Sequence, residues 1–125
     1  GHEAGDRVLQ AFTNGLQSRM RGSDTLLRWG GEEFLLVMPN TDMAQARRAL
    51  QRLTESGLGV RPDGTRLTAS IGLAERCADQ IGSPAALLEL ADHRMYRAKT
   101  GGRDQICSTP DGQPEPEACT QKAYC

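Results

Sequence analysis

Residues 25–38 constrain the fold most. Two apolar runs, Thr25-Leu26-Leu27-Arg28-Trp29 and Phe34-Leu35-Leu36-Val37-Met38, flank Gly30-Gly31-Glu32-Glu33. Strand-like runs joined through Gly-Gly read as a β-hairpin, because glycine takes positive φ cheaply at both turn positions. Such a tip is expected to have no side chains of its own, so a ligand can approach its backbone. Glu32 and Glu33 place two carboxylates beside it. Hard oxygen donors next to bare backbone suit a nucleotide held with Mg²⁺. Taken alone, the string reads equally well as a turn with two solvated glutamates.

The chain has 125 residues, enough for one domain with a core and too short for two. Its formal net charge is -1, so no sequence-wide basic field recruits nucleic acid. Cys77, Cys107, Cys119 and Cys125 form no C-x-x-C pair, which argues against zinc. The even count permits two disulfides, but a protein that works in reducing cytoplasm keeps its thiols free, and free thiols are the expectation here. The sequence has no signal peptide and no apolar run long enough to span a bilayer. The start at Gly1, inside a motif, reads as an excised piece of a longer parent.

Val8, Ala11, Phe12, Gly15 and Leu16 share one face of a helix expected over 6–20. Thr41 is a plausible N-cap for a second helix with the stripe Ala46, Ala49, Leu50 and Leu53, stopped near Gly57. Leu67 to Leu73 alternate apolar and polar, a strand with one buried face. Ser83-Pro84 opens a last helix with core face Leu87, Leu88, Ala91 and Met95, ended by Gly101-Gly102. A short strand is expected over 104–107. Beyond it, Pro110, Gly112, Pro114 and Pro116 interrupt any apolar period, which predicts a disordered tail over 107–125. The pattern is that of an α+β protein, with helices packed on an antiparallel sheet.

Arg28 to Phe34 resembles the signature of the GGDEF family of diguanylate cyclases in its Gly-Gly-Glu-Glu-Phe form. Further landmarks follow the family order. Gly1-His2-Glu3-Ala4-Gly5-Asp6 resembles its Gly-His-x-x-Gly-Asp segment. Arg21-Gly22-Ser23-Asp24 resembles its Arg-x-x-Asp inhibitory motif. Leu67 to Gly72 is similar to a later core strand. Ala91-Asp92 through Tyr96, Ala98-Lys99 and Gly102-Arg103 resemble the last helix and its phosphate-contacting end. The likeness covers residues 1–106 and implies a palm-like, ferredoxin-like sheet.

The resemblance implies condensation of two GTP into cyclic di-GMP, with release of pyrophosphate, by a homodimer in bacterial signalling. It implies Mg²⁺, with Mn²⁺ as the alternative, held by the catalytic carboxylates Glu32 and Glu33. Gly30 and Gly31 map onto close backbone approach to the nucleotide, and Asp6 onto the acid that reads the guanine edge. Lys99 and Arg103 map onto phosphate contacts, and their spacing of four predicts one shared helix face. Arg21, Asp24 and Arg52 map onto the product-binding inhibitory site. An upstream sensory domain is implied, in a cytoplasmic protein whose parent can carry a membrane anchor, with no direct membrane contact by this domain.

One departure stands out. Family members carry, before the Gly-His segment, a strand bearing another metal-binding aspartate and a nearby guanine-reading asparagine. This sequence starts after them. The first strand is therefore expected to be missing, leaving Phe34–Met38 and Leu67–Leu73 with unpaired edges. The chain alone is expected to be inactive. The alternative is a silent module that binds GTP or cyclic di-GMP.

Overall fold

The computed structural model describes residues 2–116, with side chains from Arg7 onward. Three helices alternate with four short strands: α1 (His2–Gln17), β1 (Thr25–Gly30), β2 (Glu33–Val37), α2 (Met43–Ser56), β3 (Ser70–Gly72), α3 (Pro84–Thr100) and β4 (Gln105–Cys107). They belong to two compact units, residues 1–41 with 53–68 and residues 42–52 with those from 69 onward. The class is α+β as expected, with one difference. The β1–β2 sheet is antiparallel, whereas β3 and β4 pair in parallel. Among the described residues β2 pairs only with β1, and β3 only with β4. No described helix is long and apolar enough to cross a membrane.

In the first unit α1 begins earlier than its apolar stripe suggests and ends at Gln17, followed by a turn in which the Arg19 amide donates to the Leu16 carbonyl at 3.1 Å. Leu16 is buried, and Phe12 meets Phe34 of β2 with ring centroids 5.1 Å apart. That aromatic pair ties the helix to the hairpin face carrying Leu26 and Phe34.

In the second unit Asp42, not Thr41, caps α2. Its carboxylate accepts from the Gln45 amide at 2.8 Å, and the Gln45 side chain accepts in return from the Asp42 amide at 3.0 Å. This reciprocal box satisfies two amides that a helix start leaves unpaired. Thr41 hydrogen-bonds the Pro39 carbonyl instead. Of the expected stripe on α2, Ala46, Leu50 and Leu53 are buried and Ala49 is exposed.

Helix α3 starts as its sequence dictates, with Ser83 as cap, Pro84 in the first turn and the Ala86 amide donating to Ser83 Oγ at 3.4 Å. Its expected core residues Leu87, Leu88, Ala91 and Met95 are only half-buried. The deepest positions are Ala98 and a charged residue, Arg94, which is 2% exposed. Arg94 donates to the Leu73 carbonyl at 2.8 Å and forks onto both oxygens of Asp79 at 2.8 and 2.9 Å. Burial alone would raise the Asp79 pKa. Hydrogen bonds from Arg94 and the Glu75 amide, together with the guanidinium charge, outweigh it and hold that pKa below its ordinary 3.8. The clamp fixes the loop after β3 against α3.

The close approach of β3 to α3 depends on Gly72. A Cβ there would stand 1.9 Å from the Ala91 carbonyl oxygen and 2.2 Å from the Met95 nitrogen. Both are backbone atoms, so no side chain can turn aside to make room. Gly72→Ala should lower the unfolding free energy by about 1–3 kcal/mol, the usual cost of overpacking. Urea denaturation of the two proteins measures it. An unchanged midpoint would mean that the helix is free to retreat.

Candidate active site

The hairpin tip is a two-residue turn, Gly31-Glu32, flanked by the pair Gly30 and Glu33. This corrects the expectation of a Gly-Gly tip. Gly30 closes β1, and of the two glycines only Gly31 has positive φ, 52°. The reason is a register shift between Arg28 and Gly30, which leaves Trp29 unpaired and advances the turn by one residue. The tip therefore carries one side chain of its own, that of Glu32, which is exposed, while Glu33 opens β2 half-buried. A Cβ built on Gly31 would meet nothing within 4 Å, so the space over the tip is open.

Arg28 is a tip residue that the sequence did not single out. Its guanidinium donates twice to the Gly31 carbonyl, from Nε at 3.1 Å and from a terminal nitrogen at 2.8 Å. This occupies the carbonyl of the left-handed residue and fixes the direction in which the next two residues, both acids, leave the turn. Arg28 also lines an open groove of about 420 Å³ between α1 and the hairpin, with Leu9, Thr13, Gln17, Leu26 and Phe34. Asp6, expected to read a base edge, lies one turn of α1 before Leu9; its side chain lies outside the described residues. The groove combines an apolar floor with amide, hydroxyl and guanidinium groups.

Arg21 and Asp24 are brought together as expected. The Arg21 amide donates to Asp24 Oδ2 at 3.0 Å, and the guanidinium lies 3.6 Å from Oδ1. The acid is buried, its side chain 3% exposed, whereas the Arg21 side chain is 55% exposed. Asp24 Oδ1 has no hydrogen-bond partner among the described residues. Arg21 also reaches the Thr41 hydroxyl and, at 3.4 Å, the Pro39 carbonyl. Arg52 lies exposed on α2, in the second unit.

Lys99 and Arg103 do not share a helix face. Helix α3 stops at Thr100, and Gly101 caps it with its amide on the Arg97 carbonyl at 2.8 Å. The chain then turns left-handed through Gly102 (φ 120°), Arg103 (φ 65°) and Asp104 (φ 47°). The Arg103 amide donates back to the Ala98 carbonyl at 2.9 Å, closing the helix end. The left-handed conformation costs an L-residue about 1–2 kcal/mol. Two such residues in succession mark this turn as held by its surroundings.

Among the described residues no group of three or more His, Cys, Asp and Glu side chains forms a metal cluster. Glu32 and Glu33 remain a pair of carboxylates at one tip.

Residues 1–105 match the family described as diguanylate cyclase, GGDEF domain, and the chain belongs to that family. The diguanylate cyclase DgcP of Pseudomonas aeruginosa is 35% identical over 111 residues, covering 85% of this chain and 16% of DgcP. The chain thus spans about a sixth of that relative's length. The crystal structure of the GGDEF domain of TpbB (YfiN) from P. aeruginosa superposes with a TM-score of 0.75 at 33% identity, covering 88% of this chain and 71% of that one. The GGDEF domain of DgcB from Caulobacter crescentus, solved in complex with c-di-GMP, gives 0.71 at 27% identity, covering 86% of this chain and 66% of that one.

The Arg28 contact should govern the order of the tip. Arg28→Ala removes both bonds to Gly31 and should cost the turn about 1 kcal/mol. Amide exchange at Gly31–Glu33 should then quicken by roughly fivefold, with the middle of α3 unaffected. Unchanged exchange at the tip would show that the glycine turn holds itself.

Proposed function

We propose that this chain is the catalytic part of a cyclase that condenses two GTP into cyclic di-GMP with release of pyrophosphate. The observation that carries the reading is the groove between α1 and the hairpin, whose lining residue Arg28 also donates to the Gly31 carbonyl at the tip beside Glu32 and Glu33. A purine base fits a cleft with the apolar floor of Leu9, Leu26 and Phe34. Its phosphates would then run toward the open space above Gly31, where Glu32 and Glu33 are at hand.

The donor set suits a hard divalent cation, Mg²⁺ or Mn²⁺. Mg²⁺ commonly takes only one or two carboxylates from a protein and completes its octahedron with phosphate oxygens and water. When bound, such an ion neutralises phosphate charge and lowers the pKa of the attacking 3′-hydroxyl. The remaining work is positioning, as phosphoryl-type transfer requires. Arg28 holds the tip, and Gly31 leaves room for the nucleotide. Each 3′-hydroxyl must meet the α-phosphate of the opposite nucleotide, so two GTP-loaded copies of the domain face one another in the reaction.

Product binding is assigned to Arg21 and Asp24. Asp24 offers a buried oxygen without a hydrogen bond, a place for a guanine N–H donor, and the exposed Arg21 guanidinium suits a phosphate or a base face. The sensory domain and cytoplasmic setting belong to the same reading of the whole protein.

Two measurements test these assignments. Glu33→Gln, in the protein that carries this domain, should abolish cyclic di-GMP synthesis from GTP and Mg²⁺ with the circular-dichroism spectrum preserved; near-normal turnover would remove Glu33 from the site. Arg21→Ala should weaken calorimetric binding of cyclic di-GMP by about 1.5–3 kcal/mol, the range for a hydrogen bond to a charged group. Unchanged affinity would place the product elsewhere.

A further inference from the structure

The segment after β4 is ordered through Pro116, although its composition reads as a disordered tail and the expected boundary at 107 falls inside β4. Residues 117–125 lie outside the described residues. What orders 108–116 is one carboxylate. Glu115 Oε1 accepts from the Ser108 amide at 2.5 Å, from Ser108 Oγ at 2.8 Å and from the Arg47 guanidinium at 2.9 Å. Oε2 accepts from the Thr109 hydroxyl, which also lies 3.0 Å from the Gln113 carbonyl. The Ser108 hydroxyl relays the charge, since its oxygen accepts from Arg47 at 2.8 Å while its proton goes to Glu115. The loop folds on itself between these points, with the Gln113 amide donating to the Pro110 carbonyl at 3.1 Å.

The socket is built rather than incidental. Arg47 and Ser108 are each 6% exposed. The Arg47 guanidinium also donates to the Pro116 carbonyl at 3.3 Å. A buried cation of this kind needs a counter-charge, because stranding it is costly, and among the described groups Glu115 supplies it. The outer side of the loop rests on α3. Asp111 pairs with His93 at 3.1 Å and with Arg97 at 3.3 Å, and Arg97 donates to the Thr109 carbonyl at 2.6 Å.

We infer that residues 108–116 are a strap, fastened across α2 and α3 by the single carboxylate of Glu115 in a socket made by Arg47, Ser108 and Thr109, and released as a unit when that carboxylate is neutralised. Among the described residues the other fastenings are the Arg47–Ser108 bond, the ion pairs of Asp111 and bonds to loop carbonyls. Burial alone would raise the Glu115 pKa. The hydrogen bonds from Thr109 and Ser108 and the charge of Arg47 outweigh it, so the pKa lies below its ordinary 4.5. The fastening is therefore complete above the ordinary carboxylate value and is lost as pH falls through the depressed one. The other titrating groups facing the strap are Asp111 on the loop and His93 on α3. Neutralising Glu115 removes the charge that the Arg47, Ser108 and Thr109 donors share.

Amide exchange of the 125-residue chain, referred to the intrinsic rate at each pH, tests the strap. At pH 7 the Ser108 and Gln113 amides should be protected. Glu115→Gln should reduce that protection by at least tenfold while amides in the middle of α3 keep theirs. In the unmodified chain the same two amides should lose protection at a higher pH than α3 as the solution is acidified below pH 4.5. Asp111→Asn should leave protection within about threefold, because the exposed pair contributes little. Unprotected Ser108 at pH 7, full protection in Glu115→Gln, or acid opening only in step with α3 would each overturn the inference. Should Glu115→Gln fail to fold, the acid titration of the unmodified chain decides alone.

Discussion

The second unit depends on the absence of a side chain at Gly72. Only there can the backbone of β3 lie against that of α3, with the Ala91 carbonyl and the Met95 nitrogen occupying the volume that a Cβ would need. That closeness brings the Leu73 carbonyl within reach of Arg94 and places Asp79 on the other side of the same guanidinium. It also lets β4 pair alongside β3, continued by the Leu73 amide on the Cys107 carbonyl at 2.9 Å. The strap then starts from the end of that strand.

Where the local code is short-range, the sequence could be read directly. The hairpin, the Ser83-Pro84 start of α3 and the stop at Gly101-Gly102 all follow from preferences of one or two residues. Where an element depends on distant partners, the pattern misled. Nothing in the periodicity of α3 announces that Arg94 is its most buried long side chain, because the partners that neutralise it lie 15 and 21 residues away. The Gly-Gly tip was misplaced by one residue for a similar reason, since a bulge at Trp29 shows only once both strands are paired. Lys99 and Arg103 are different. The two glycines between them already forbade a common helix face, so the signal was present and was overridden by spacing.

Buried arginine recurs as a building device in the second unit. Aromatic residues make up only 4% of the chain and charged residues 25%. Arg94 and Arg47 take central positions, and each guanidinium joins several acceptors that an apolar side chain could not satisfy. The cost is a demand for exact partners. In each, Nε is buried without a hydrogen bond among the described residues. Such centres specify which loops pack where more than they add to net stability.

The contiguity of β3, α3 and β4 has a kinetic consequence. These elements occupy one unbroken stretch, residues 70–107, and parallel pairing of two strands requires just such an intervening crossover. Their mutual contacts close short loops, whose entropy cost is modest. The Arg47–Ser108 bond joins residues 61 apart in sequence, and its closure is slower for that reason. The strand–helix–strand segment therefore has a smaller loop-closure cost than the contact that brings in the beginning of α2.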